Sequence, residues 1–223
     1  MKTEMDIQHS AWKNGDAADD YFKRNQKTLD ADLGSSNSTK IFASHIRKNH
    51  KVIEIGCSNG RFLEQIRRIT NCDAYGIDPS PVAIHDGKAK YPDLRLNRGT
   101  ADSLQYDDNY FDAVIFGFCL YLVDRGLLMR VVAEADRVLR GGGWLMVTDF
   151  DPEIPHRRAF KHHEGIWTYK MQYADLWLAN PAYVLVEKIS FSHESEGFHP
   201  DPNERVASWV LYKQANSGYL EFP

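Results

Sequence analysis

The residues whose types and spacing carry chemistry cluster where an apolar run gives way to glycine: Val52-Ile53-Glu54-Ile55-Gly56-Cys57-Ser58-Asn59-Gly60, with Tyr75-Gly76-Ile77-Asp78 following. An apolar strand that breaks into a glycine-bracketed turn and then a helix is the first βα unit of a nucleotide-binding sheet, because ligands lie beyond the carboxyl ends of parallel strands. Gly56 allows a sharp turn and close backbone approach to a ligand, with Cys57 as a small pocket-lining residue. Gly60 opens the helix running through Phe62, Leu63 and Ile66. Asp78 follows Gly56 at about the 20-position spacing at which a carboxylate on the second strand meets ribose hydroxyls. A ribose-bearing ligand is expected.

The dinucleotide fingerprint G-x-G-x-x-G would need glycine at Ser58 and Arg61, so an NAD(P)-linked oxidoreductase fits poorly and stands as the alternative enzyme class. What the chain has is E-x-G-x-x-x-G. Here it resembles the class I S-adenosylmethionine-dependent methyltransferases. Downstream, Gly99-Thr100-Ala101-Asp102 with Tyr106 to Ile115 is similar to that family's adenine-binding segment and fourth strand, and Arg137 to Leu145, containing Gly141-Gly142-Gly143, to its turn into the fifth strand. The resemblance covers Lys51 to Phe150. It implies a Rossmann-like fold and S-adenosylmethionine as cofactor, held by Glu54, Gly56, Cys57, Ser58, Gly60, Asp78, Pro79, Ala101, Asp102 and Phe118. Glu54 would attract the cofactor's ammonium end. Asp78 would take the ribose and Asp102 the adenine amino group, although each carboxylate also suits a helix N-terminus. Tyr121 and Phe118, just past the fourth strand, would line the mouth where adenosine and acceptor meet, or pack as core aromatics.

These groups must be positioned by a mostly parallel α/β sheet with helices on both faces and one antiparallel strand. Helices are expected at Asp16 to Leu29 and Thr39 to Lys48, divided by the turn cluster Asp32 to Ser38. Then strands at Val52 to Ile55, Ala74 to Ile77, Leu94 to Asn97, Ala113 to Phe116 and Trp144 to Phe150 alternate with helices at Arg61 to Ile69, Pro81 to Lys90 and Leu127 to Leu139. Past Phe150 the pattern changes: an irregular stretch to Lys170, a helix over Met171 to Ala179, and closing strands at Tyr183 to Phe191 and Val206 to Tyr212. One domain is expected over 1–223, with a helical cap at 1–50, the cofactor core at 51–150, an acceptor-side region at 151–213 and a tail at 214–223. Trp12, Tyr21, Arg24 and Asn25 resemble the amino-terminal lid of small-molecule methyltransferases, or form a plain packing helix.

The densest basic segment, His156-Arg157-Arg158-Ala159-Phe160-Lys161-His162-His163-Glu164, follows the fifth strand and is either a solvated loop or an acceptor site. As a site, His162 or His163 would serve as general base, with Arg157 and Arg158 drawing in an anionic group and Tyr169 completing the acceptor pocket. Its histidines with Glu164 make a metal site conceivable, but no metal is expected.

The composition is that of an ordinary globular protein: 223 residues, 43% hydrophobic and 26% charged. A net charge of -4 speaks against a nucleic-acid footprint, and the strand exit Gly117-Phe118-Cys119-Leu120-Tyr121 lacks the Asn/Asp-Pro-Pro-aromatic signature of base-methylating enzymes. Three scattered cysteines suit a reducing compartment. With no export signal or membrane-length apolar run, a cytoplasmic protein without membrane partners is expected. The expected activity is methyl transfer to a small acceptor, by O-methylation of a sugar-related or anionic metabolite, since the carboxyl third is similar to methyltransferases of bacterial surface-polysaccharide pathways. A non-catalytic S-adenosylmethionine-binding module is the other alternative.

Overall fold

The computed structural model describes residues 4–14, 16–29, 36–192, 195–216 and 218–219. Its strands are β1 (Lys51–Ile55), β2 (Asp73–Asp78), β3 (Arg95–Arg98), β4 (Phe111–Gly117), β5 (Leu139–Phe150), β6 (His156–Ala159), β7 (Trp167–Lys170), β8 (Tyr183–Ser192) and β9 (Arg205–Lys213). Its helices are α1 (Glu4–Lys13), α2 (Asp16–Leu29), α3 (Asn37–His45), α4 (Arg61–Thr70), α5 (Pro81–Lys90), α6 (Leu128–Val138) and α7 (Asp175–Leu178). Seven strands form one sheet in the order β3-β2-β1-β4-β5-β9-β8. β1 to β5 are parallel and β9 alone runs against its neighbours. The expected mostly parallel, Rossmann-like sheet with one antiparallel strand is therefore present.

β1 and β4 are central because their side chains are apolar on both faces, as a strand covered by helices on each side requires. Val52, Ile53, Ala113, Val114 and Ile115 are fully buried. The strand order reverses between β1 and β4, and the crevice at such a switch point is where a doubly wound sheet binds ligands.

Several boundaries differ from the sequence reading. β5 starts at Leu139, five residues early, because Gly141 to Gly143 form an irregularity in its pairing: Phe111 opposes Leu139 and Ala113 opposes Trp144. α3 ends at His45 rather than Lys48, where Ile46 turns extended. In place of a helix over Met171 to Ala179 only α7 forms. The stretch expected to be irregular contains the β6–β7 hairpin, a sheet of its own. α1 is not among the individually expected helices, although it falls within the helical cap expected over 1–50. Most of the Asp32 to Ser38 turn cluster and part of the 214–223 tail lie outside the described residues.

Polar clasps hold α1 and α2 over the sheet's carboxyl edge. Gln8, buried, donates through Nε2 to the carbonyls of Leu122 (2.8 Å) and Trp167 (3.1 Å) and accepts from Trp167 N–H at 3.1 Å. Arg98 donates to the Lys13 carbonyl at 3.1 Å. The Ser80 hydroxyl donates to Asp19 while capping α5 by accepting from Ala83 N–H. Among the described residues, no helix is long and apolar enough to cross a membrane.

Candidate active site

The turn after β1 is fastened to β2 by backbone. Gly56 and Cys57 N–H both donate to the Ile77 carbonyl, at 2.9 and 3.0 Å, and Gly60 N–H donates to Cys57 at 2.8 Å. Gly56 adopts φ +76°, where a Cβ would also lie 2.6 Å from that of Cys119, so only glycine fits. Asp78 completes the turn, accepting from Ser58 N–H at 2.8 Å and Ser80 N–H at 2.9 Å. Burial pushes its carboxyl up to about 6.

Glu54 is buried beside this turn, and burial, reinforced by the charge of Asp78, holds its carboxyl well above the usual range. Its Oε2 has no hydrogen-bond partner, nor does the buried Oγ of Ser58. A Cβ at Gly117 would stand 2.9 Å from Glu54 Oε1. Unsatisfied buried oxygens are costly unless a ligand completes them. This cradle, with a carboxylate on the second strand, suits an adenosine ligand bearing a cationic tail.

The cradle opens into a cavity of about 630 Å³. Of the expected cofactor residues, Glu54, Gly56, Cys57, Ser58, Asp78, Pro79, Ala101, Asp102 and Phe118 line it. Gly60 does not: at φ +80° it sets the start of α4, and a Cβ there would meet Leu94 at 2.7 Å. Phe118 has φ +58°, a left-handed conformation that is strained for a bulky side chain, and its N–H donates to Thr148 at 2.8 Å.

The expected acceptor residues are divided. Tyr121 and His162 line the cavity; His163, Arg157, Arg158 and Tyr169 do not. The Arg157 guanidinium lies 4.1 Å from the Trp167 ring centroid, and Arg158 reaches Asn203 at 3.4 Å. The Tyr169 ring lies under Arg125 at 4.5 Å. His163 is directed at the Glu164 carbonyl, 3.1 Å from its Nδ1. Among the described residues no three His, Cys, Asp or Glu side chains gather as a metal requires.

The structure adds Lys13, Cys119 and Phe150, which line the cavity, to the expected site residues. It also buries Asp149, which the sequence offers with Tyr121 and Tyr169 as a fallback candidate for a general base. Asp149, fully buried at the end of β5, accepts from Phe150 N–H at 2.8 Å and Tyr121 N–H at 3.3 Å, and burial pushes its carboxyl up to about 7. Phe150 had a sequence signal, as the last residue of a strand whose carboxyl end faces the crevice. Lys13 had none.

Residues 53–147 match a family described as "Methyltransferase domain". Over 114 residues the chain is 31% identical to the phthiotriol/phenolphthiotriol dimycocerosates methyltransferase 1 of Mycobacterium ulcerans, an alignment covering 49% of this chain and 41% of the relative. It is 26% identical over 111 residues to the demethylmenaquinone methyltransferase of Chlorobaculum tepidum, covering 50% of this chain and 44% of the relative. The chain thus matches less than half the length of either relative. In fold it is similar to the Burkholderia thailandensis 1,6-didemethyltoxoflavin-N1-methyltransferase solved with 1,6-didemethyltoxoflavin and S-adenosylhomocysteine, at TM-score 0.67 and 15% identity, covering 89% of this chain and 85% of that one.

Proposed function

We propose, from the premise that this chain belongs to the class I S-adenosylmethionine-dependent methyltransferase family, that it methylates a small-molecule acceptor. The observation that carries this reading is one continuous cavity joining the Gly56–Asp78 cradle to an aromatic compartment beneath α1 and α2. S-adenosylmethionine is the family's cofactor. Held by Glu54, Asp78 and Asp102, it would supply a sulfonium methyl for displacement onto the acceptor's nucleophilic atom, with the electron pair of the broken C–S bond staying on sulfur.

The protein's own residues bind and orient. Asp78 would accept from the ribose hydroxyls, Asp102 from the adenine amino group, and Glu54 would face the ammonium end through its unpaired oxygen. The rings of Phe118 and Tyr121 exclude water from the reacting centre. Positioning is the main contribution that such a displacement needs. For a hydroxyl acceptor, His162 on the cavity wall is the proposed proton acceptor; His163 lies off that wall.

The finer reading is O-methylation of an anionic metabolite. Arg157 and Arg158, on which the sequence expectation of an anionic or sugar-related acceptor leaned, do not line the cavity, but Lys13 and Arg24 do. The anionic character is carried forward on those two cations. The relatives are named for demethylmenaquinone and for phthiotriol/phenolphthiotriol dimycocerosates, which supports an acceptor that is not a nucleic acid.

Calorimetric titration with S-adenosylhomocysteine and with NAD, followed by transfer of labelled methyl from S-adenosylmethionine across an acceptor panel, tests the reading. Micromolar binding of S-adenosylhomocysteine with label transferred is expected. Tighter NAD binding overturns it, and cofactor binding without any transfer leaves a binding module.

A further inference from the structure

Six of the rings that line the cavity form two triads. Trp12, Tyr21 and Phe160 come from α1, α2 and the turn after β6, with Trp12 centroids 6.2 Å from Tyr21 and 6.1 Å from Phe160. Phe118, Tyr121 and Phe150 come from the exits of β4 and β5, their centroids 5.1 to 6.2 Å apart. The tyrosine hydroxyls join the triads at 3.4 Å. Five of the six rings are only half-buried although they face a cavity; apolar surface left uncovered there favours an occupant that covers it.

We propose that the acceptor is a planar aromatic or heteroaromatic ring bearing an ionisable hydroxyl and an acidic substituent, seated between these two triads. The proposal rests on the methyltransferase reading above and narrows its acceptor. Ring walls favour a flat occupant, because aromatic pairs gain from offset-stacked or edge-to-face contact beyond simple area burial. A sugar would bring four or five hydroxyls into a compartment walled mainly by carbon, and each unpaired one is penalised. Polar groups beside the rings match the hydroxyl and acidic substituents, among them His162, whose ring centroid is 5.4 Å from that of Phe160. The Tyr21–Tyr121 hydroxyl pair suits one acceptor hydroxyl. The buried Trp12 Nε1, without a hydrogen-bond partner, is a donor with no acceptor capacity. The Arg24 guanidinium, 5.3 Å from the Tyr21 centroid and 5.5 Å from that of Phe160, stands at the mouth where an acidic substituent would emerge.

Two probe acids of equal charge test this: caffeate, a planar catechol carboxylate, and quinate, a non-planar cyclohexane polyol carboxylate, with glucose phosphate as a sugar arm. Each is titrated into protein saturated with S-adenosylhomocysteine. Caffeate is expected to bind at least tenfold tighter than quinate or glucose phosphate. Trp12→Ala and, on a separate element, Phe160→Ala should each weaken caffeate about fivefold to thirtyfold, with a much smaller change in S-adenosylhomocysteine affinity. Thermal melts verify that each variant is folded. Equal or tighter binding of quinate or glucose phosphate overturns the proposal, as does caffeate affinity unchanged in both folded variants. Failure to bind S-adenosylhomocysteine at the outset would instead remove the methyltransferase reading.

Discussion

On the side of β1, β2 and β4 the cavity wall is fastened by backbone: paired N–H groups of Gly56 and Cys57 on Ile77, a parallel register on each flank, and Asp78 accepting from two main-chain donors. On the side of α1, α2 and the β6–β7 hairpin it is side chains from segments remote in sequence, held by Gln8, Asp19 and Arg98. Backbone walls are tied into the sheet and cannot shift without breaking it. Side-chain walls depend on a few hydrogen bonds, so they can be retuned for a different acceptor while the cofactor cradle stays put.

The largest expected effect comes from removing the carboxylate of the backbone wall. Asp78→Ala deletes the proposed ribose acceptor and frees the N–H groups of Ser58 and Ser80. Loss of a hydrogen bond to a charged group costs about 1.5–3 kcal/mol, so S-adenosylhomocysteine should bind about tenfold to hundredfold more weakly by calorimetry. Binding of caffeate to the aromatic side should change far less. Equal losses for both ligands would mean that the two walls are not independent.

A glycine substitution sharpens the contrast through stability. Gly87 lies within α5, where helix propensity alone makes alanine better by about 1 kcal/mol. A Cβ there would stand 2.3 Å from the Asn59 carbonyl and 2.5 Å from Leu96 Cδ1, the first of these being backbone of the cradle turn. The clash should win, with Gly87→Ala destabilising by about 1–3 kcal/mol in urea unfolding. A gain in stability would show that the turn yields more readily than its hydrogen bonds imply.

The same division governs what could be read from the sequence. β1, β2, β4 and β5 were legible because two-sided burial demands unbroken apolar runs, and the cradle because glycine at 56 and an acid at 78 have few other uses together. Gly60 was legible as the start of a helix, but its second role, clearance for Leu94, needs a contact across the sheet. α1 was hidden because its buried anchor is Gln8, a polar residue that reads as surface. The β6–β7 hairpin was hidden because His156 to Ala159 shows no apolar face and its strand partner lies across a seven-residue turn that carries Lys161 to Glu164. His162 and His163 are adjacent in sequence, and only the hairpin's path places one on the cavity wall and the other off it.

Acidity separates the walls in another way, since Glu54, Asp78 and Asp149 all have carboxyls raised by burial, Asp78 to about 6 and Asp149 to about 7. A raised acid keeps its proton in the fold where the unfolded chain has released it. The ligand-free protein should therefore lose stability as pH rises from about 5 to about 7, with His50, whose pKa burial lowers, opposing weakly, and with Glu64 and Glu134, whose carboxyls arginine partners hold low against burial, opposing below about pH 5. Cofactor affinity should run the opposite way, because ribose hydroxyls donate to the ionised Asp78; about one pH unit below its pKa, roughly a tenth of the sites are ionised and binding weakens about tenfold. Melting curves with and without S-adenosylhomocysteine at about pH 5 and pH 7.5 check both signs. An apo melting temperature that climbs through this range would contradict the buried-acid account.

The smallest effect is expected from Gln8, which tests whether the side-chain wall is as lightly held as the geometry implies. Gln8→Met keeps the side chain's length and apolar bulk but leaves Trp167 N–H and the Leu122 and Trp167 carbonyls without their partner. These groups would regain water by local opening of the hairpin and α1 rather than by unfolding the sheet, at a cost of about 1 kcal/mol, or about fivefold in population. Hydrogen exchange at the Trp167 amide should accelerate by about that factor, with caffeate weakened to a similar extent. Amides of β1 and β2 should keep wild-type protection. Faster exchange spreading into Ile55 or Ile77 would show that the clasp supports the whole cavity, and that the two walls are one cooperative unit.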